Sequence, residues 1–211
     1  MTPSADDFRA LARSGPWLAR ELHLVRHCAG ERLEGRVQRP GRVRWRAGTG
    51  PWHAEVQEPG PHEQFTHQHP VVRRPDGLVL DRPGPWQSVE DAMVENYTWV
   101  SMLDPVELAS GVELSGVRRV THDGREAWQA RCHVGPDYDP RCACCPLLWS
   151  RVSDEAEYGA DHPRPAEGYP EFHDVTLDHA TGIVLRLAPG PGSTRTDLAF
   201  HVDLLSWTPW P

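Results

Sequence analysis

The alternation of apolar and polar positions predicts mainly β-strands in the first quarter of the chain. Residues 6–14 have helical spacing, but from Trp17 onward the period changes to two. Alternating segments at 33–38, 42–47 and 52–57 are separated by short sequences rich in proline and glycine, which favour turns. The pattern therefore predicts a short N-terminal helix followed by a meander of antiparallel strands.

The segment 42–46 shows most clearly which face of this sheet is buried. Three arginines alternate there with Val43 and Trp45, so the arginines are expected on one face and the apolar pair on the other. The same alternation predicts that Trp52 and Trp128 face the core or a cavity.

The middle of the chain has the spacing and end signals of helices. The sequence Ser88-Val89-Glu90-Asp91 resembles a capping box, and helical spacing continues to Val100. Asp104 and Pro105 are residue types favoured at the N-cap and first position of a helix, which predicts a second helix ending at Ser110-Gly111.

Strand patterns return in the second half of the chain and define the expected fold class. Asp123-Gly124 is a strong hairpin signal between two of them. The expected strands are 112–121, 126–134, 172–178, 183–188 and 197–207. We predict an α+β fold in one domain, 1–211, in which a curved antiparallel sheet carries two or three helices on its concave face.

Composition and the terminal sequence bear on nucleic-acid binding, membrane insertion and cellular location. The chain has 211 residues, no lysine and a formal net charge of −8, which argues against nucleic acid as a partner. No apolar run approaches the ~20 residues that a membrane helix needs. The first residues lack the basic and apolar regions of a secretory signal, so a cytoplasmic location is expected.

Four of the five cysteines lie close together and form the strongest candidate site: Cys132, Cys142, Cys144 and Cys145. The Cys-x-x-Cys spacing of Cys142 and Cys145 suits a tetrahedral soft metal such as zinc, with Cys144 inside the turn and Cys132 approaching from its strand. A disulfide from Cys132 to the loop, a Cys144–Cys145 bridge and plain buried thiols are the alternatives.

Histidines offer weaker candidates. In the segment His62–His69, a strand would put His67 and His69 on one face, where two imidazoles can chelate one ion; a solvent-facing polar segment is the alternative. Among possible acids and bases, His162, His173 and Asp174 lie in or beside an irregular stretch that begins at Ser153, without a visible third partner.

Three segments carry a resemblance to a known family. They are 103–109, 120–128 with Gly-Arg-Glu after a hairpin, and 175–186 with Leu-Asp-x-x-Thr-Gly before a strand. Together with the order of elements, they resemble the superfamily of LolA-like lipoprotein carriers and the related MucB/RseB-type anti-sigma-factor regulators. The resemblance implies an incomplete β-barrel that holds helices, with a gap that receives acyl chains or lipid-derived signals.

These observations lead to two hypotheses about function. The first is a non-enzymatic protein that holds a hydrophobic small molecule or a protein partner in its half-barrel, with Trp45, Trp52 and Trp128 as ligand-binding residues. The cysteine loop would then be a clamp closed by zinc or a disulfide. The second is a cysteine-dependent enzyme or a redox or metal sensor that uses the Cys142–Cys145 loop.

Overall fold

A computed structural model describes residues 2–60, 63–82 and 88–211. Within these residues, the three α-helices are α1 (Ala5–Leu18), α2 (Tyr97–Leu103) and α3 (Arg151–Tyr158), and two short 3-10 helices span Thr66–Gln68 and Val106–Ala109. The strands are β1 (Glu21–Cys28), β2 (Glu31–Gln38), β3 (Arg42–Ala47), β4 (His53–Val56), β5 (Gln64–Phe65), β6 (Val72–Arg73), β7 (Val79–Asp81), β8 (Ser88–Val89), β9 (Val112–His122), β10 (Arg125–Val134), β11 (His173–Asp178), β12 (Val184–Pro189) and β13 (Phe200–Thr208).

Nine of these strands form one antiparallel sheet in the order β4-β3-β2-β1-β13-β12-β11-β10-β9. The N-terminal meander β1–β4 and the C-terminal meander β9–β13 join where β1 pairs with β13. The sheet has two open edges, β4 and β9. The predicted α+β class with a large antiparallel sheet that does not close is confirmed.

Several strand predictions agree closely with the structure because local signals determine them. Strand β3 has the predicted bounds, and Val43 is buried while Arg42 and Arg44 are exposed. The β9–β10 turn has positive φ at Asp123 (46°) and Gly124 (79°). Two positive φ values in succession are what a tight Asp-Gly hairpin requires, so the turn sequence determines this pairing.

The N-terminal helix is longer than predicted. A capping box formed by Ser4 and Asp7 begins α1, as local chemistry favours, but the helix runs past Pro16 to Leu18. The predicted change to strand at Trp17 is therefore wrong, and β1 begins at Glu21. Tertiary contacts stabilise the extension, because the buried Arg39 side chain donates to the carbonyl oxygens of Gly15 and Ala19 at 2.6 and 3.0 Å.

The helix predicted from Ser88 is wrong. Residues Ser88–Val89 form strand β8, and α2 begins only after Asn96, whose side chain accepts a hydrogen bond from the Thr98 N–H. The two acids that suggested a helix start make tertiary ion pairs instead. Glu90 binds His67, and Asp91 binds Arg39 inside the core. Long-range ion pairs have overridden a local capping pattern.

The α-helix predicted to begin at Asp104 is replaced by a short 3-10 helix. Asp104 follows the end of α2, and Pro105 precedes the 3-10 helix Val106–Ala109 without a side-chain cap. The Asp104 carboxylate is buried and accepts from Arg82 and Arg141 at 2.9 and 2.6 Å. Its role is therefore an ion pair between segments rather than a helix cap.

The core lies between one face of the sheet and helices α1 and α2. Phe8 and Leu11 of α1 and Trp99 of α2 are fully buried and belong to a single hydrophobic cluster with the inner face of the sheet. Gly35 in β2 allows close approach, since a Cβ there would lie 2.5 Å from the Trp99 ring. This packing holds α2 against the sheet and so positions the loop that follows β10.

Candidate metal centre: a loop of three thiols

Three sulfur atoms converge in the loop between β10 and α3. The Sγ of Cys142 lies 3.1 Å from that of Cys144 and 3.3 Å from that of Cys145, and the Cys144 and Cys145 sulfurs are 3.7 Å apart. All three are free thiols. A zinc ion bound by thiolates at ~2.3 Å has sulfur neighbours about 3.8 Å apart in a tetrahedron. Small outward movements of these sulfurs would therefore admit one ion.

Hydrogen bonds in the loop favour a thiolate at Cys142. Its half-buried position alone would raise the pKa of Cys142, but hydrogen bonds from the thiols and backbone N–H groups of Cys144 and Cys145 lower that pKa below its ordinary value. Burial and the Cys142 sulfur raise the pKa of Cys145 to about 12, although the Tyr97 N–H donates to its sulfur. The turn thus supplies N–H donors to sulfur, which stabilise thiolate ligands.

A buried carboxylate holds both ends of the thiol loop. Oε2 of Glu107 accepts from the Arg141 N–H at 3.0 Å and from the Tyr138 hydroxyl at 3.1 Å, and Oε1 accepts from the Leu147 N–H at 3.2 Å. The Tyr138 oxygen in turn accepts from the Leu148 N–H at 3.2 Å. Burial raises the pKa of Glu107. Because residues 141 and 147 flank the cysteines, this one side chain fixes the separation of the loop ends.

Two further contacts attach the loop to neighbouring segments. The Thr98 hydroxyl at the start of α2 donates to the Cys145 carbonyl oxygen at 3.0 Å. The Arg141 guanidinium binds the Asp104 carboxylate at the other end of the same helix. The tip of the loop stays accessible, with Cys144 exposed and Cys142 and Cys145 half-buried.

Cys132 lies outside this group. It is fully buried in β10, where it pairs in register with His173 of β11 and belongs to the hydrophobic core. Burial raises the pKa of the Cys132 thiol strongly. The structure therefore brings three of the four predicted thiols together and leaves the fourth as a core residue in this arrangement.

The histidine segment is arranged differently from the predicted strand. His67 lies in the 3-10 helix Thr66–Gln68, and its Nδ1 is 2.8 Å from the Glu90 carboxylate. The His67 ring also stacks on Trp210 at 4.4 Å. His62 lies outside the described residues. Since Glu90 and Trp210 already contact His67, the segment supports a structural role better than a metal site.

The three tryptophans predicted to bind ligand have different surroundings. Trp128 is 6% exposed in the core, and the half-buried Trp45 packs against that core and stacks on His53 at 4.6 Å. The Trp52 ring lies under three guanidinium groups on the other face of the sheet, at 4.8–5.5 Å: those of Arg36, Arg44 and Arg46. A ligand-binding role for these residues stays a prediction.

The candidate acids and bases in and beside 153–174 each contact a different neighbouring residue. His162 is exposed and stacks on Tyr158 of α3, and Asp174 binds Arg131 of the neighbouring strand. His173 is buried, and its Nε2 lies 3.0 Å from the Trp149 carbonyl oxygen. Each of these residues therefore has a structural partner.

His173 should make stability depend on pH. Burial lowers its pKa from 6.5 to about 4. Between these values the unfolded chain binds a proton that the folded chain does not, so the free energy of unfolding should fall by ~3 kcal/mol as the pH drops from 6.5 to 4. Urea unfolding of His173→Gln at pH 7 and 4.5 should show a smaller loss than the natural chain. The exposed His162→Gln serves as control, and equal pH slopes in all three proteins would contradict the assignment.

The residues that support the thiol loop are not recognisable from the sequence. Glu107 and Tyr138 are 31 positions apart, and Glu107 and Leu147 are 40 apart, so no short motif joins them. The sequence feature that includes Glu107 is the Asp104-Pro105-Val106-Glu107 segment, which by its local pattern predicts a helix start. Its two acids instead hold the loop through Arg141.

Comparisons with known proteins add a distant structural likeness. No protein-family model matches the chain, and no curated protein matches it. The crystal structure of MucB is similar over 96% of this chain and 59% of the MucB chain, with 17% sequence identity and a TM-score of 0.40. This chain thus spans about three fifths of that solved structure, and the likeness is distant.

The fold and the site together define a class: an α+β protein with an open antiparallel sheet and a three-thiol loop that could hold a metal ion. Among the helices of the described residues, none combines the length and the apolar character needed to cross a membrane.

Proposed function

We propose that this chain is a non-enzymatic metal-binding protein whose Cys142, Cys144 and Cys145 thiolates bind one soft cation, with zinc as the expected ion. The convergence of three sulfurs at 3.1–3.7 Å, with backbone N–H groups directed at sulfur, carries the proposal. Thiolates select soft and borderline ions such as Zn²⁺ and Cu⁺ over Mg²⁺ or Ca²⁺.

The bound ion would act as a clamp on the loop. Glu107 already fixes residues 141 and 147, but the three cysteines between them contact the rest of the protein through few hydrogen bonds. Three coordinate bonds would order this tip, and a fourth position would stay open on the exposed side at Cys144. A water molecule or a donor from a partner could occupy that position.

The same geometry supports a second candidate function, in thiol redox chemistry. Once a peroxide has oxidised Cys144 to a sulfenic acid, the lowered pKa of Cys142 and its 3.1 Å approach to Cys144 favour attack of the Cys142 thiolate on that sulfur, which forms a disulfide and releases hydroxide. An oxidised loop would keep the clamp but exclude the metal, because a disulfide removes two of the three ligands.

The hypothesis of a hydrophobic small molecule or protein partner stays a prediction. The inner face of the sheet is filled by the protein's own side chains, including Phe8, Leu11 and Trp99. A cavity of about 770 Å³ lies instead on the outer face, across β1–β4 and the end of β13, with Arg36, Arg44 and Val56 in its lining. A ligand that leaves the packed core unchanged would bind on the surface, for example in this outer cavity.

Native mass spectrometry tests the metal proposal. Protein purified without chelator or reductant should carry at least one zinc per chain, and zinc should add ~2–4 kcal/mol to the free energy of unfolding when it saturates the thiol loop. Cys142→Ser and Cys145→Ser should each carry one zinc fewer than the natural chain, whereas Cys28→Ser, a half-buried cysteine elsewhere in the sheet, should carry the same number.

The mass and the metal content of these proteins distinguish the metal-binding function from the redox function. A mass two hydrogens lower, with no metal, would favour the redox function. Metal content that is the same in Cys142→Ser, Cys145→Ser and the natural chain would exclude the thiol site, because the ion would then be bound elsewhere.

A further inference from the structure

A second group of metal-ligating side chains lies on the outer face of the sheet, in strands other than those that flank the thiol loop. His27 of β1 and His201 of β13 are direct partners in the antiparallel register, and their rings stack at 4.4 Å with an angle of 6° between planes. Asp203 follows two positions along β13 and therefore projects from the same face. Its Oδ2 lies 3.0 Å from Nε2 of His27.

The donor atoms of these three residues all lie within 4.8 Å of one another. Two imidazoles and a carboxylate are a donor set for first-row divalent ions, with metal–nitrogen distances of about 2.0–2.1 Å for zinc. An ion between the side chains would replace the His27–Asp203 hydrogen bond with two coordinate bonds.

The backbone around this group is well suited to hold it. Strands β1 and β13 are both interior strands of the nine-stranded sheet, so each is hydrogen-bonded on both sides. The ligands therefore project from a rigid surface, which limits the ordering cost of binding.

The group is also open to solvent. His201 is exposed, His27 and Asp203 are partly exposed, and a cavity of about 520 Å³ beside them is lined by both histidines and by Arg186. An ion held by three protein ligands would keep open positions toward this cavity. The charge of Arg186, the register partner of His201, opposes a cation, and the Asp203 carboxylate offsets that repulsion.

We propose that His27, His201 and Asp203 form a second metal site, which binds one divalent first-row ion such as Zn²⁺, Co²⁺ or Ni²⁺. This site is independent of the thiol loop, and it requires neither the fold of the loop tip nor the redox state of the cysteines.

Cobalt titration of a chain without the three loop thiols tests the proposal. The variant Cys142→Ser/Cys144→Ser/Cys145→Ser removes the loop site but keeps Cys28 and Cys132, and it should still bind about one Co²⁺ per chain. The near-ultraviolet spectrum should lack the sulfur-to-cobalt charge-transfer band that a thiolate site produces. Zinc titration followed by nitrogen NMR of the imidazoles should shift the ring signals of His27 and His201.

Matched variants in the same background, without the three loop thiols, identify the ligands. His27→Ala and His201→Ala should each lower Co²⁺ affinity by more than the ~10–100-fold typical of losing an outer-shell partner. Asp203→Asn should weaken binding while keeping the shape of the side chain. His162→Ala removes an exposed histidine far along the chain and should leave affinity unchanged, and circular dichroism checks that every variant is folded.

Two results would overturn the second site: a folded chain without the loop thiols that binds no Co²⁺, Ni²⁺ or Zn²⁺, or binding that survives both histidine substitutions. Neither result bears on the thiol loop, which is tested separately by the loss of one zinc when Cys142 or Cys145 is replaced.

Discussion

Arg39→Met should lower the free energy of unfolding by about 3–5 kcal/mol, the range expected when one partner of a buried ion pair is removed. The Arg39 side chain is fully buried and forms a two-pronged ion pair with Asp91, at 2.9 and 2.8 Å. It also donates to the carbonyl oxygens of Gly15, Ala19 and Leu103, so it joins the ends of α1 and α2 to the sheet. Urea unfolding followed by circular dichroism measures the loss.

Two controls separate the buried pair from a general effect of losing an arginine. Arg44→Met replaces an exposed arginine on β3 and should change stability by less than ~0.5 kcal/mol. The double variant Arg39→Met/Asp91→Leu should recover part of the loss, because it no longer leaves a buried carboxylate unpaired. A loss of under ~1 kcal/mol for Arg39→Met would show that this ion pair does not anchor the helices.

Glu107→Ala should lower the free energy of unfolding by about 2–4 kcal/mol and weaken zinc binding at the thiol loop. The substitution leaves three buried donors without their acceptor: the Tyr138 hydroxyl and the N–H groups of Arg141 and Leu147. A buried donor without a partner costs about 1–3 kcal/mol. Zinc affinity should fall because the loop ends are no longer held at a fixed separation before the ion binds.

Urea unfolding and zinc titration of the same variant measure the two effects separately. Glu107→Gln keeps one acceptor oxygen and should show smaller losses of both. Glu113→Ala, an exposed glutamate on β9, is the matched control. Undiminished zinc affinity in a folded Glu107→Ala protein would show that the cysteines organise themselves without this carboxylate.

Local patterns predicted much of the sheet. Strand β3 and the hairpin between β9 and β10 follow from period-two alternation and from Asp123-Gly124, because both signals depend only on residues adjacent in sequence. The convergence of Cys142, Cys144 and Cys145 has the same origin. Three thiols within four positions stay close in any compact turn, and the sequence therefore predicted the loop as a site.

The errors occur where distant residues compete with a local preference. The segment Ser88-Val89-Glu90-Asp91 resembles a capping box, yet Glu90 and Asp91 form ion pairs with His67 and Arg39, which are stronger partners than the first turn of a helix would provide. Asp104 similarly leaves its expected cap position for Arg82 and Arg141. A short stretch of sequence does not identify such partners, because the two residues of each pair lie far apart along the chain.

The chain sequence alone determined the strand periodicity, the hairpin turn and the three clustered thiols, since each depends on neighbours along the backbone. Only the tertiary structure decided that Cys132 belongs to the core and that Glu107 holds the loop ends. It also decided that His27 meets Asp203 from 176 positions away. The physical reason is that the order of strands in the sheet, set by burial of the whole core, determines which distant side chains become neighbours.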